Sequence, residues 1–278
     1  MQHRTLLYLM NSASPEHEIE EILDAGHAQN ARIICLLLDT APAFPPSAYA
    51  GLPYAPMPTA EWTQAFEETR NALAEKARSL AEVLARSSVA GSVETALTQS
   101  PDLYAEVSRR AMQADLVSVA ENLRENEPDV FRIAAHATLM SSPAPLVLNC
   151  MPLAGAERVF VGWNGSLPAA RAIRVALPIL REAKEVILAV FDPHHSDGEN
   201  PGSDMAEWLS HHGCTVTVNQ YPSGGELVGE AMRKRATETG SDLVVMGAYG
   251  RSRMRELVFG GSTRTMLAQT RVPVLMAH

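Results

Sequence analysis

The sequence predicts an α/β fold made of two tandem domains, each a five-stranded parallel sheet with helices on both faces. Short apolar runs alternate with helical patterns along the 278 residues, which is typical of parallel strands joined by crossover helices. The chain is also duplicated internally. DLVSVA at residues 115–120 matches DLVVMG at 242–247, and LLYLMN at 6–11 matches VFVGWN at 159–164. We therefore place the domains at residues 1–152 and 153–278.

In the first half, a long amphipathic helix is predicted over residues 59–86. Its apolar side chains form one broad stripe, which is more typical of a core contact than of a ligand site. The segment before it, residues 40–58, is too rich in proline for a regular element and is predicted to be a loop.

In the second half, apolar runs and helical periodicity predict five strands and three helices. The strands are predicted at 158–163, 185–191, 215–220, 243–246 and 272–276. The helices are predicted at 167–180 and 225–239, with a last one that begins near Ser262.

Composition excludes several classes of function. The net charge is −9, and residues 1–150 hold 10 Lys and Arg against 19 Asp and Glu, so a nucleic-acid partner is not expected. No apolar run approaches the roughly 20 residues of a membrane helix, and no signal peptide is evident. The three cysteines are too far apart for a metal site. These observations favour a cytoplasmic protein without a membrane or a bound metal.

The most informative motif is a glycine loop between two predicted strands of the second half. Gly247, Gly250 and Gly260 follow an apolar run and precede a predicted helix start at Gly261, Ser262 and Thr263. Backbone free of side chains, followed by a helix N-terminus, lets several N–H groups converge on a phosphate. The pattern favours a nucleotide phosphate site. The alternative is that these glycines serve a tight turn and a helix entry without a ligand.

Other motifs give weaker indications. Arg251, Arg253 and Arg255 fall inside the glycine loop, where contact with phosphate and a solvated surface are equally consistent with the sequence. The pairs His194-His195 and His211-His212 are adjacent, and adjacent residues on regular structure do not face one metal. No lysine follows the glycine loop as in a P-loop, and no residue set for rapid phosphoryl transfer is evident.

The spacing Gly-x2-Gly-x9-Gly at 247, 250 and 260 resembles the ATP-binding signature of the universal stress protein family, and the duplication resembles its tandem-domain members. The resemblance implies that adenine and ribose lie near the ends of the first two strands. The cofactor implied is ATP, with or without Mg²⁺, or another adenine nucleotide. The cofactor-binding residues implied are Gly162, Asn164, Val190, Met246, Gly247, Gly250, Gly260, Gly261, Ser262 and Thr263.

Two residues depart from the family pattern. Gly261 separates the third motif glycine from the hydroxyl residues, and Asn164 stands where ATP-binding members commonly carry Asp. A neutral acceptor makes a weaker bond to a ribose hydroxyl, so we expect reduced affinity or a different adenine nucleotide.

The first half lacks every motif glycine. Its equivalent residues are 120–123 and 133–136, and Glu121 adds negative charge where phosphate would lie. We expect it not to bind ATP. By the resemblance, residues 145–149 and 273–278 are expected to pair within one chain, with homodimerisation left open.

Two classes of function remain. The leading hypothesis is a stress-response regulatory protein that binds ATP in its second domain and has no catalytic residues. The alternatives are a slow ATPase and a scaffold that has lost nucleotide binding.

Overall fold

Strands and helices alternate along the chain, as the sequence predicts. The computed structural model describes residues 4–44, 58–149, 155–193, 200–250, 261–268 and 271–278. The chain divides into two compact units, Met1–Ser142 and Pro143–His278. The domain boundary predicted from the repeat falls at residues 152 and 153, outside the described residues, and stays a prediction.

The first unit contains a parallel sheet with strand order β3-β2-β1-β4. Leu7 of β1 lies opposite Ile34 of β2 and Val117 of β4. The strands are β1 Arg4–Met10, β2 Ala31–Thr40, β3 Gly91–Thr98 and β4 Leu116–Val119. The helices are α1 His17–Gln29, α2 Ala60–Arg86, α3 Ser100–Ala111, α4 Glu121–Asn126 and α5 Pro128–Ser141.

The long helix α2 begins where the sequence predicts. Thr59 is its N-cap, and its hydroxyl accepts a hydrogen bond from the backbone N–H of Trp62 at 3.1 Å. Trp62 also stacks on Phe44 and Phe66, with ring centroids 4.4 and 5.2 Å apart. Of the proline-rich loop, residues 45–57 lie outside the described residues. The aromatic contacts of α2 are therefore made within its own unit.

The second unit has strand order β5-β10-β9-β6-β7-β8, and every pair of neighbouring strands is parallel except the pair β5 and β10. The strands are β5 Leu146–Leu148, β6 Arg158–Trp163, β7 Glu185–Phe191, β8 Val216–Tyr221, β9 Leu243–Gly247 and β10 Val274–Ala277. The helices are α6 Leu167–Glu182, α7 Ser203–His211, α8 Val228–Glu238 and α9 Gly261–Ala268.

Strand β5 belongs to the first repeat by sequence, yet it lies in the second unit. It pairs antiparallel with β10, and Val147 lies opposite Leu275. The Asn149 side-chain amide donates to the carbonyl oxygen of Val272 at 2.8 Å, just beyond the paired residues. The predicted pairing of the last strands of the two repeats is confirmed.

The bounds of β6 and β7 agree with the prediction, whereas α8 begins three residues later than expected. Gly224 and Gly225 have φ values of 67° and 87°, which a right-handed helix does not accommodate. Helix α7 was not predicted, although Met205, Trp208 and Leu209 follow the spacing of one helix face. None of the described helices combines the length and apolar character needed to cross a membrane.

Candidate functional site

A cavity of about 290 Å³ opens at the carboxyl ends of the central strands of the second unit. The strands β6, β7 and β9 end there, and the first turns of α8 and α9 complete its wall. In open parallel sheets, ligands usually bind in this place. The lining residues are Gly162, Trp163, Asn164, Phe191, Val228, Met232, Met246, Gly247, Gly250, Gly261, Ser262 and Thr263.

The floor of the cavity depends on Gly162 in β6. A Cβ atom at Gly162 would lie 2.5 Å from the Met232 Cε atom and 3.7 Å from the Met246 Cβ atom. Any larger residue would therefore push the Met232 side chain out of place. The missing side chain at Gly162 gives the cavity an apolar floor made of two flexible methionines.

The first glycines of the loop are explained by packing. A Cβ at Gly247 would lie 2.6 Å from the Pro168 carbonyl carbon and closer still to the Ala169 backbone nitrogen, both at the start of α6. A Cβ at Gly250 would lie 3.3 Å from the Asn164 side-chain amide. Because backbone atoms cannot rotate away, Gly247 is required by the fold whether or not a ligand binds.

Asn164 links the end of β6 to the start of α6. Its side-chain oxygen accepts a hydrogen bond from the Ser166 backbone N–H at 3.1 Å. The Ser166 hydroxyl in turn accepts from the Ala169 N–H at 3.3 Å and caps α6. Asn164 remains exposed, and a carbonyl oxygen has two lone pairs, so this side chain can still accept a bond from a ligand.

The two hydroxyl residues of α9 differ in role. Thr263 is 3% exposed, and its hydroxyl accepts from the Tyr249 backbone N–H at 3.1 Å. Tyr249 has a φ of 54°, the left-handed region that non-glycine residues seldom adopt, and this bond helps to hold it there. Ser262 is half-buried and lines the cavity. Of the two, Ser262 is the better placed to offer its hydroxyl to a ligand.

The cavity carries no charge of its own among the described residues, because none of its lining side chains is ionisable. A positive potential comes instead from the N-terminus of α9, where the first backbone N–H groups have no partner within the helix. Arg251, Arg253 and Arg255, which the sequence offers as phosphate contacts, lie outside the described residues. The described part of the site therefore suits an anion bound by backbone groups.

Eight of the ten residues that the resemblance implied for the site lie around this cavity. Gly260 falls outside the described residues. Val190 does not line the cavity: it is 4% exposed, and its Cγ2 atom lies 3.1 Å from where a Gly202 Cβ would be. Its neighbour Phe191, the last residue of β7, lines the cavity instead.

Sequence reasoning missed four lining residues: Trp163, Phe191, Val228 and Met232. Trp163 and Phe191 are the last residues of predicted strands, so their position at the carboxyl edge was a usable signal. Val228 and Met232 come from α8, and no local pattern indicates which of its residues meet the cavity.

The corresponding region of the first unit is filled with polar and apolar side chains. Asn11, the counterpart of Asn164, is 4% exposed and accepts from the Asn122 side-chain amide at 2.8 Å. The Ser14 hydroxyl donates to the Asn122 side-chain oxygen at 2.7 Å. Leu9 stands at the position of Gly162 and is fully buried. Helix α4 begins where the glycine loop lies in the second repeat.

A buried carboxyl group lies on the same unit. Glu18 accepts a hydrogen bond from the Tyr8 hydroxyl, and the Glu121 backbone N–H donates to the same carboxylate. Burial raises the pKa of the Glu18 carboxyl, and the negative charge of Glu121 adds to the rise, whereas the Tyr8 hydrogen bond and His17 oppose it. Burial likewise raises the pKa of the Tyr8 hydroxyl, which keeps this group protonated as a donor.

The sequence from the end of β8 onwards matches a known family. Residues 225–278, which hold α8, the glycine loop, α9 and β10, match the model of the universal stress protein family. No curated protein sequence matches the chain at a significant level.

Solved universal stress proteins share the fold of the whole chain. A universal stress protein from Archaeoglobus fulgidus DSM 4304 superposes with a TM-score of 0.61 at 14% identity, covering 100% of this chain and 99% of its own. A putative universal stress protein from Pseudomonas aeruginosa UCBPP-PA14 gives a TM-score of 0.58 at 12% identity, covering 99% and 93%. The chain therefore has the fold of these tandem structures, and residues 225–278 match the family model.

Proposed function

We propose that the second domain binds ATP or a related adenine nucleotide. We further propose that the protein is a cytosolic stress-response regulator, and that nucleotide binding alters its shape or its partners. The observation that carries the proposal is the cavity, where the glycine loop and the first turn of α9 meet the ends of β6 and β7. Most of its lining residues fall within the segment that matches the family.

The apolar part of the cavity suits a nucleobase. Met232 and Met246 form the floor, and Phe191 and Trp163 add aromatic surface. Thioether and aromatic groups make favourable contacts with the faces and edges of a planar ring. At about 290 Å³, the cavity lies just below the roughly 300–1,000 Å³ range of small-molecule sites, which is enough space for a nucleobase.

The polar part suits the sugar and the phosphates. Asn164 lies beside Gly250 at one rim, where its oxygen can accept from a ribose hydroxyl. Gly261, Ser262 and Thr263, the first residues of α9, also line the cavity. Because the described lining is uncharged, the helix N-terminus would supply the attraction for phosphate there.

The test is the binding of ATP to the full chain by isothermal titration calorimetry, with mass spectrometry of nucleotide that copurifies. Gly162→Leu gives the second domain the residue of the first and is expected to weaken ATP binding about 100-fold or more, because it displaces Met232. Val161→Leu is the matched control. It overpacks a fully buried neighbour on the opposite face of β6 and is expected to leave affinity within about twofold.

Wild-type protein that carries no nucleotide and shows no heat of ATP binding would overturn the proposal and leave the scaffold alternative. Equal ATP affinities of the Gly162→Leu variant and the wild-type protein would show that ATP does not bind in this cavity. The same samples, incubated with ATP, report on hydrolysis. We expect no turnover, because no general base or acidic metal ligand lines the described part of the cavity.

A further inference from the structure

The first turn of α8 packs backbone to backbone against the first turn of α9. Gly229, the second residue of α8, is buried at this contact. A Cβ atom there would lie 2.7 Å from the Thr265 Cβ, 2.9 Å from the Ser262 Cα and 3.0 Å from the Ser262 carbonyl oxygen. Two of these three atoms belong to the main chain and cannot rotate aside. A larger residue at Gly229 would therefore shift the start of α9 itself.

The residues that precede Gly229 meet the same region. Val228 lines the cavity, and the Leu227 Cδ2 atom lies 3.5 Å from where a Gly261 Cβ would be. Leu227 is 60% exposed, so its position is not explained by burial in a core. Residues 227–229, which we name the α8 entry turn, thus lie beside both the cavity and the first turn of α9.

The α8 entry turn is fixed to the sheet on its other side. The segment before it contains Gly224 and Gly225, both with positive φ. Its start is held because the Ser223 backbone N–H donates to the Asp192 carboxylate at 2.8 Å, directly after β7. This connection ties the α8 entry turn to the same strand edge that forms the cavity.

We propose that Gly229 is a positioning residue, which sets the place of the first turn of α9 relative to Gly247 and Gly250 and thereby the affinity for the phosphate-bearing part of the ligand. The inference rests on the proposed function. The backbone N–H groups of Gly261–Thr263 bind an anion well only where they converge on it, and the attraction of a helix N-terminus falls off within its first turn. Gly162 and Met246 lie on strands of the sheet, and the Met232 side chain, one turn further along α8, is flexible, so we expect binding of the base to change less than binding of the phosphates.

The test compares ATP with adenosine on the full chain carrying Gly229→Ala. We expect ATP affinity to fall about tenfold while adenosine affinity stays within about twofold, since only ATP contacts the displaced helix start. Gly26→Ala in α1 is the matched control. Its Cβ would meet the Ile33 Cδ1 at 2.5 Å, so it crowds a helix glycine in the first unit, and it should change neither affinity.

Equal losses for ATP and adenosine, or no loss for either, would overturn the positioning role. Circular dichroism melting shows whether each variant is folded. If Gly229→Ala does not fold, Leu227→Ala tests the same contact between the α8 entry turn and α9. Leu227 is exposed, so its truncation should not prevent folding. A loss of about threefold for ATP alone supports the proposal, and an unchanged ATP affinity overturns it. Wild-type protein that binds neither ligand would instead refute the proposed function.

Discussion

At the end of β1 the first repeat carries Asn11, and at the end of β6 the second repeat carries Asn164. Asn11 is buried and hydrogen-bonded with Asn122, whereas Asn164 is exposed beside the cavity. The same side chain at the same point of the same fold thus stabilises a core in one repeat and borders a cavity in the other. The difference lies in what surrounds it.

The neighbouring strand position shows the same contrast. Leu9 is fully buried, and Gly162 leaves space above two methionines. Duplication preserved the strands and changed the contents of their carboxyl ends. Substitutions at these positions test whether side-chain packing alone determines that the second repeat has a cavity and the first does not.

The largest effect is expected for Leu9→Ala. Removing a fully buried leucine side chain should lower the free energy of unfolding by about 3 kcal/mol, because it loses apolar burial and leaves a void. Urea denaturation of the variant and the wild-type protein measures this loss. The variant should gain no ATP binding, since the hydrogen bonds of Asn11 remain. Measurable ATP binding in the first unit would break the comparison.

Gly247→Ala should cost about 2–3 kcal/mol, because its Cβ would meet backbone atoms of α6 at 2.6 Å or less. Gly261→Ala is the control, since its Cβ would meet no atom of the described residues closer than 3.5 Å, and it should change stability by less than about 0.5 kcal/mol. Urea denaturation of both proteins without nucleotide makes the test. Equal stabilities would contradict the packing role of Gly247.

Thr263→Val is expected to cost about 1–2 kcal/mol. Valine has nearly the same shape, but it leaves the Tyr249 N–H without the acceptor that holds it at 3.1 Å. Thermal melting, with Thr265→Val in the same helix as the control, measures the difference. A variant as stable as its control would show that this hydrogen bond does not hold the loop.

Asn164→Asp should bind adenosine about threefold more tightly, because a charged acceptor makes the stronger hydrogen bond with a ribose hydroxyl. Adenosine is used because it carries no phosphate charge to repel the new carboxylate. Asn11→Asp is the control in the first repeat and should leave adenosine affinity unchanged. Weaker adenosine binding by Asn164→Asp would show that this side chain does not accept a hydrogen bond from the ribose.

The smallest effect is a trend with pH for Glu18→Gln. Burial raises the pKa of the Glu18 carboxyl in the folded state above its value in the unfolded chain. Protonation of Glu18 therefore stabilises the folded state, and this contribution is complete at pH values below the unfolded-state pKa. That stabilisation is lost as pH rises through the folded pKa. Glutamine has no such proton and can still accept from Tyr8. The stability of the variant relative to wild type should therefore rise from about pH 4 to about pH 8. A constant difference in urea denaturation would contradict the raised pKa.

The sequence predicted β6 and β7 because these strands are continuous apolar runs that begin at a charged residue. β6 begins at Arg158 and β7 at Glu185, which is where the apolar runs begin. The start of α8 was placed too early because φ at Gly224 and Gly225 depends on tertiary context. The same limit applies to the cavity. Glycine spacing indicated the loop, but the contribution of Met232 depends on how α8 rotates against the sheet.

The glycine motif does not by itself distinguish residues that contact a ligand from residues that the fold requires. Gly247 belongs to the family spacing, yet the contact with Ala169 explains it without a ligand. Thr263, which the sequence offered as a phosphate contact, holds the backbone of Tyr249. A motif residue can thus be required by the architecture that surrounds a site.

Strand β5 gives the chain a property that neither repeat has by itself. Strand β5, which belongs to the first repeat by sequence, pairs with the edge of β10. The sequence repeat and the compact structural unit therefore have different boundaries. A fragment cut by sequence homology would leave unpaired amide and carbonyl groups along β10, which favours association with other copies. A fragment that begins at Pro143 keeps that edge sealed.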